Sequence, residues 1–429
     1  MSDRTLRVGL LGCGTVGAAV VRLLDEHRED IERRAGCRLE VARVAVRDPA
    51  KARSVSLSPS SLTVDPMEVV DDPGVEIVCE LIGGSEPAGS LILAALERGK
   101  PVVTANKELL ADRGREILDA ADAKGLDLYF EAAVGGGIPL VRPLKESLTG
   151  ERLTRVMGIV NGTTNFILST MSEEGRPFEE VLAEAQGLGY AEADPAADVD
   201  GFDAAAKCAI LASIAFNARV VADDVYREGI SRVTSEDIEY ARRLGYVVKL
   251  LAIAEFDGER IAARVHPAMI PQTHPLASVR EAFNAVFVEG PKIGELMFYG
   301  RGAGGDATAT AVVGDLVTVA RNLLAGTRGV GCTCFWERTI RPMDELEDQY
   351  YILLRVEDRP GVLAEIAGVF GRNAVSIRSV WQEGIGPDAK LVFVTHRARE
   401  GDFQRAVAEL GGLRAVGEVR SVLRVEAEE

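Results

Sequence analysis

Five carboxylates within a dozen residues, Glu192, Asp194, Asp198, Asp200 and Asp203, run into a single lysine, Lys207, in AEADPAADVDGFDAAAKCAILASIAF, residues 191–216. The glycines of AQGLGY end one helix, Asp194-Pro195 turns the chain, and a new helix is predicted to start near Gly201. Asp200 falls where its N-cap would be, and Asp203 in its first turn, where the helix dipole favours a carboxylate. An exposed ion pair from Asp203 to Lys207 at i,i+4 would account for both charges. The rest of the segment argues otherwise. AAAKCAILASIAF is apolar around nearly the whole helix, as a buried helix must be. A lone ammonium there is costly unless partnered, and one held and oriented by Asp203 suits acid/base catalysis.

Such a residue needs a reactant, and the N-terminal stretch supplies a place for one. RVGLLGCGTVGAAVVRLL gives a short apolar strand, then GxGxxG at Gly12, Gly14 and Gly17, then a helix with Val16, Val20, Leu23 and Leu24 on one face. Strand, glycine loop and helix in that order form a dinucleotide site, with Gly12, Gly14, Thr15, Val16 and Gly17 around the pyrophosphate. The second strand, LEVARVAV, ends in Arg47-Asp48. An acid at this place binds the ribose of NAD, while an arginine accommodates the 2′-phosphate of NADP. Arg47 comes first, with Lys51 and Arg53 behind it, so NADP is favoured and NAD remains open. Strands at 75–82, 100–107 and 126–134 alternate with helices, which makes a doubly wound parallel sheet. Ser85 and the Asn106-Lys107 pair fall at the carboxyl ends of these strands, where ligands bind. The last strand runs through Glu131 into GGGIP, where backbone carbonyls either hold a hard cation or form a bend with no ion.

From 132 to 300 the pattern is α+β. A second glycine loop, GRGAGGD, feeds an apolar helix and returns the chain to the nucleotide domain over about 301–337. Residues 338–349 read as a polar linker. From 350 the order is βαββαβ, with a predicted helix stripe of Val362, Leu363, Ile366, Ala367 and Phe370. The expected class is therefore α/β: a Rossmann-type domain (1–131), an α+β domain (132–300) and a small βαββαβ domain (350–429).

Composition limits the alternatives. The net charge of −17 argues against nucleic acid or an anionic membrane as partner. The apolar run after Val8 is too short, and too broken by glycine, to span a bilayer. Six scattered cysteines make no disulfide framework, which points to a reducing cytoplasm. Cys332 and Cys334 form a CxC pair, without the His or second Cys pair that a zinc site needs.

Taken together, AQGLGYAEADPAADVDGFDAAAK, GCGTVG, ELIGGSEPA, VVTANK, EAAVGGGIP and NGTTNFIL resemble homoserine dehydrogenases, and the tail resembles an ACT domain. The resemblance covers essentially the whole chain. It implies interconversion of L-homoserine and L-aspartate 4-semialdehyde with NAD(P), by a monofunctional enzyme of the threonine, methionine and isoleucine branch. By position it makes Lys207 the proton donor, with Lys107 an alternative acid/base near cofactor and substrate. It assigns Glu192 and Asp203 to homoserine, Asp198 to the lysine network, and Gly189 and Gly305 to the nucleotide. It assigns Glu131 and the carbonyls of Val134, Gly136 and Ile138 to a monovalent cation, sodium or potassium. It also implies a homo-oligomer, dimer or tetramer, with threonine as effector of the tail. Two rival readings are an acylating semialdehyde dehydrogenase, for which Cys208 is the thiol nearest Lys207, and a nucleotide- and amino-acid-sensing regulator without catalysis. The intact Glu192, Asp203 and Lys207 set speaks against the second.

Overall fold

The computed structural model describes residues 4–386 and 389–427. The chain divides into two compact units. One comprises Met1–Val156, Ala206–Asp224 and Phe283–Arg338; the other comprises Met157–Ala205, Val225–Ala282 and Thr339–Glu429. The division differs from three domains in series. The hairpin of strands Phe283–Gly290 and Gly294–Arg301 goes with the nucleotide unit, and the ACT-like tail shares a unit with the middle of the chain.

The first unit holds a six-stranded parallel sheet. Its elements are β1 (Thr5–Leu11), α1 (Thr15–Glu26), α2 (Arg28–Ala35), β2 (Arg38–Ala45), β3 (Leu62–Thr63), α3 (Pro66–Asp71), β4 (Ile77–Glu80), α4 (Ala88–Glu97), β5 (Val102–Thr104), α5 (Lys107–Lys124) and β6 (Leu128–Tyr129). The strand order is β3-β2-β1-β4-β5-β6, so the direction of winding reverses between β1 and β4, and a ligand crevice opens beyond their carboxyl ends. Alternation along β1 sends Leu6, Val8 and Leu10 to one layer and Leu11 to the other. The first layer is closed by α1, α2 and the helix Gly305–Ala325, through Ala309, Val312 and Leu316. The second is closed by α3, α4 and α5, through Val69, Ile92 and Ile117. The helix Gly305–Ala325 therefore packs on the nucleotide sheet.

In the second unit, strands Tyr246–Phe256 and Arg260–Pro271 form an antiparallel ribbon. Arg260–Pro271 also pairs in parallel with the final described strand, Val416–Val425, at Ala268↔Arg424 and Met269↔Val425. That strand lies beside Glu347–Val356, followed by Lys390–Thr395 and Ile377–Glu383. With helices Val362–Arg372 and Glu400–Gly411 this is the βαββαβ fold, its core built on Ile352, Leu354, Ile366, Phe370, Phe393 and Phe403. Leu363 departs from the predicted stripe and is exposed, while Val369 takes a buried place. The stretch 338–349, read as a linker, is ordered. Thr339–Ile340 pairs with Arg260 and Ile261, and Glu347 already begins a strand. Its polar side chains are spent on such contacts: Arg341 carries an ion pair to Asp257, and Glu345 takes a hydrogen bond from Arg260.

Candidate active site

The glycine loop between β1 and α1 has the shape a pyrophosphate needs. Gly12 has φ +102°, and a Cβ there would meet the Leu81 carbonyl oxygen at 2.8 Å. At Gly17 a Cβ would lie 2.5 Å from the Gly12 carbonyl oxygen, so the helix can approach the loop only without one. Gly14 faces open space, and as N-cap of α1 it offers no side-chain hydrogen bond, leaving the first N–H groups of the helix to a ligand. Thr15 opens α1 and sits against Gly305, where a Cβ would come within 2.9 Å of its methyl carbon. Val16 packs on the core and offers the site only its backbone. These features fit a dinucleotide.

Arg47 and Asp48 lie just beyond the end of β2. Asp48 accepts a hydrogen bond from Ala50 N at 2.9 Å, closing a turn. Arg53 is used to brace that loop, donating to the carbonyls of Asp48 and Lys51 at 2.6 and 2.8 Å. Arg47 is exposed and has no hydrogen bond or ion pair among the described residues.

At the carboxyl ends of the strands, a cleft of about 220 Å³ is lined by Gly83, Gly84, Asn106, Lys107, Gly302, Ala303, Thr308 and Lys207 among others. Glu80, which the sequence reading left without a role, and Asn106, which it placed beside Lys107, shape it. Glu80, fully buried, takes hydrogen bonds from Ile82 N (2.7 Å), Gly83 N (3.0 Å) and the Thr104 hydroxyl (2.6 Å). Asn106 caps α5 by accepting from Leu109 N, and its amide donates to the Gly84 carbonyl at 2.7 Å. Lys107 is thereby fixed as the first residue of α5, half-buried on one wall. Ser85 follows Gly84 in the loop but is not among the lining residues. Lys207 reaches the cleft from the helix Phe202–Ala215 and is only 8% exposed. Cys208 is buried and does not line the cleft, which removes the thiol that the acylating reading required.

The GGGIP loop forms the floor. Both Glu131 carboxylate oxygens accept backbone N–H groups, from Leu140, Val141 and Arg142, at 2.6–2.9 Å. The carbonyls of Val134, Gly136 and Ile138 accept no hydrogen bond among the described residues, and Val134 and Ile138 are buried. Buried carbonyls without donors suit a hard cation. Asp315, another residue sequence reading missed, anchors the loop by accepting from Glu131 N (2.8 Å) and Arg142 Nη2 (2.6 Å). Burial pushes its carboxyl up to about 7, with Arg142 opposing the shift. Its signal was an acid in the otherwise apolar AVVGDLVTVA.

In the second unit the acid-rich loop is organised by Asn161. Its amide donates to Asp198 at 2.6 Å and to Asp203 at 2.9 Å, while its oxygen caps the helix Gly162–Glu174 through Thr164 N. Asp203 is buried and Asp198 half-buried; Glu192 is exposed on the same loop, with its carbonyl bound by Gln186. Gly189 takes φ +78° beside open space. Asp203 and Lys207 stand one turn apart on one helix, as expected from i,i+4 spacing. Asp200 is not the N-cap of that helix. Gly201, at φ +81°, holds that place and accepts from Ala205 N, while Asp200 ends the preceding turn Ala196–Val199.

A parallel sheet with a glycine-loop nucleotide site, a buried lysine at its carboxyl edge and a βαββαβ tail defines a nicotinamide-dependent oxidoreductase carrying an amino-acid-sensing type of domain. Comparison with known proteins narrows this. Family models match at residues 12–131 (homoserine dehydrogenase, NAD binding domain), 139–317 (homoserine dehydrogenase) and 350–415 (ACT domain). The homoserine dehydrogenase of Corynebacterium glutamicum is 50% identical over 98% of this chain and 95% of its own. A crystal structure of the Thiobacillus denitrificans enzyme superposes with a TM-score of 0.95 at 44% identity, covering 99% of each chain. A hyperthermophilic archaeal homoserine dehydrogenase in complex with NADPH matches at a TM-score of 0.64 and 27% identity, over 77% of this chain and 100% of that one. The chain belongs to the homoserine dehydrogenase family.

Proposed function

We propose that the chain interconverts L-homoserine and L-aspartate 4-semialdehyde, with NADP the favoured carrier and NAD accepted, in the synthesis of threonine, methionine and isoleucine. The observation that carries this reading is the buried Lys207 in the cleft at the carboxyl edge of the nucleotide sheet, opposite the Asn106-Lys107 wall. A bound nicotinamide supplies or accepts the hydride. Lys207 gives a proton to the oxygen of the aldehyde as it is reduced, and takes it back in the other direction. Lys107 stands next as alternative acid/base. Glu192 pairs with the α-ammonium of homoserine, and Asp203, linked through Asn161 to Asp198, orients substrate and lysine. Gly189 and Gly305 border the nucleotide.

Arg47, free at the end of β2, supports recognition of a 2′-phosphate. The three unpaired carbonyls support a sodium or potassium ion held by Val134, Gly136 and Ile138, with the Glu131 side chain shaping the loop. The free state of all six cysteines supports a reducing cytoplasm. No helix among the described residues is long and apolar enough to cross a membrane. Exposed Ile293, Leu296, Met297 and Tyr299 on the hairpin support a homo-oligomer. Threonine binding is supported by the helix Val362–Arg372, whose N-cap Gly361 gives no side-chain bond.

The test is turnover of homoserine by the full chain, followed at the nicotinamide absorbance with NADP and NAD side by side. Turnover with kcat/KM higher for NADP is expected; no turnover with either nucleotide would end the reading.

A further inference from the structure

Behind the cleft, on the same elements, lies a second cluster that the reaction does not use. Cys332, Cys334 and Lys145 line a cavity of about 50 Å³ with Phe130, Leu110, Arg115, Ile210 and Ile214. Both thiols are half-buried and unbridged. The Cys334 N–H donates to Cys332 Sγ at 3.4 Å. Lys145 is 8% exposed; its ammonium donates to the Val330 carbonyl at 3.3 Å and lies 5.4 Å from the centre of the Phe130 ring. A buried ammonium served by one carbonyl and one ring favours a nearby anion, and both thiols interact with its charge.

We propose that Cys332 and Cys334 form a thiol–disulfide exchange site for low-molecular-weight disulfides, with Cys332 the attacking sulfur, Cys334 the resolving one and Lys145 the positioning cation. The adjacent Cys334 thiol and N–H favour the thiolate at Cys332 and push its pKa down, while the neighbouring Cys332 sulfur and burial push Cys334 up. Asp119 and Asp122 act against the thiolate, and Arg115 is paired with Asp119. The Cys332 thiolate attacks a disulfide RSSR, forming a mixed disulfide and releasing RS⁻. Cys334 then attacks the Cys332 sulfur, its proton leaving with the second RSH. The two cysteines lose two electrons and the disulfide gains them. The other cysteines are poorer candidates: Cys37, Cys79 and Cys208 are buried, and burial raises the Cys13 thiol.

The test treats the native full chain with dithiobis(nitrobenzoate), follows release of the aryl thiolate and maps the product by mass spectrometry. Wild type should release two aryl thiolates per chain from this site and lose two hydrogens within a peptide spanning both cysteines. Cys334→Ser should stop at a mixed disulfide on Cys332. Cys332→Ser should label roughly tenfold more slowly in this peptide, as expected from a lower thiolate fraction. Lys145→Met, with its melting temperature checked, should slow the first step about threefold or more. Labelling of Cys332→Ser in this peptide at the wild-type rate, or a wild-type chain that keeps its label without closing the bridge, would overturn the proposal. An unchanged rate in Lys145→Met would overturn the part given to Lys145.

Discussion

At the scale of single residues, the reading rests on a lysine that burial makes expensive to keep. Lys207→Ala should lower kcat by about two decades or more, the usual loss of a general acid, with nucleotide affinity unchanged. Near-normal turnover measured at the nicotinamide absorbance would transfer the role to Lys107. Arg47→Ala should weaken NADP about tenfold or more and leave NAD nearly untouched, because only the phosphate gives Arg47 a charge-assisted bond. Equal loss in titrations with the two nucleotides would show that Arg47 reads neither. Lys207 was visible in the sequence because its helix is apolar on every side. Asn161 was not, although it joins Asp198 to Asp203, because its partners lie 37 and 42 residues away and nothing local marks the pairing. Glu131 was assigned to a cation, and only geometry reveals that its carboxylate also accepts three backbone N–H groups.

Elements were legible where one face alternates or a glycine punctuates. The doubly wound sheet follows from alternating apolar strands and helices, and α1 and the helix Phe202–Ala215 begin within a residue or two of where spacing places them. The polar stretch 338–349 was misread as free because its pairing partner, Arg260–Pro271, is distant in sequence. Element packing also hides a second ammonium. Lys249, on strand Tyr246–Phe256, donates to the Val279 carbonyl (2.6 Å), Asn165 Oδ1 (2.9 Å) and Ser169 Oγ (3.2 Å), tying the strand to the helix Gly162–Glu174. Burial lowers its pKa from 10.5 to about 8. Between those values the unfolded chain holds the proton that the folded chain has released, so this group makes stability rise with pH there. Denaturant unfolding at pH 8 and again toward pH 10 should show wild type gaining on Lys249→Met. A constant difference between the two proteins would mean that Lys249 stays charged throughout.

For the molecule as a whole, the tail behaves as part of a sheet. Arg264, 2% exposed, bonds Glu255 at 2.8 Å and Glu426 at 3.1 Å, with Asp348 at 3.6 Å, so it joins the ribbon to the ACT fold on both sides of the last described strand. Arg264→Met would leave Asp348 and Glu426 buried without that cation. It should destabilise the unit by about 3–5 kcal/mol in denaturant titrations. Loss of hydrogen-exchange protection in Val416–Val425 and Arg260–Pro271 together would show the two strands opening as one, and protection lost in only one would refute it. Regulation is best tested without cutting the tail. Ala364→Glu puts a carboxylate in the first turn of Val362–Arg372, where the helix dipole tolerates it and a ligand carboxylate would be repelled. Threonine should inhibit the full wild-type chain, and the variant should need about tenfold more. Equal sensitivity of both would place any threonine effect elsewhere.

The position of Val416–Val425 has a further consequence, for the order in which the protein is made. This strand is synthesised after both of its neighbours, Arg260–Pro271 and Glu347–Val356, yet it lies between them. While a ribosome is still translating it, the nascent chain already carries the edge of Glu347–Val356 and the Ala268–Met269 end of Arg260–Pro271 without the strand they pair with. Open edges are templates for pairing with other chains, so the interval before this segment emerges is when neighbouring nascent copies are most exposed to one another. Translation that stalls just before residue 416 would leave the ribbon complete and the tail one strand short.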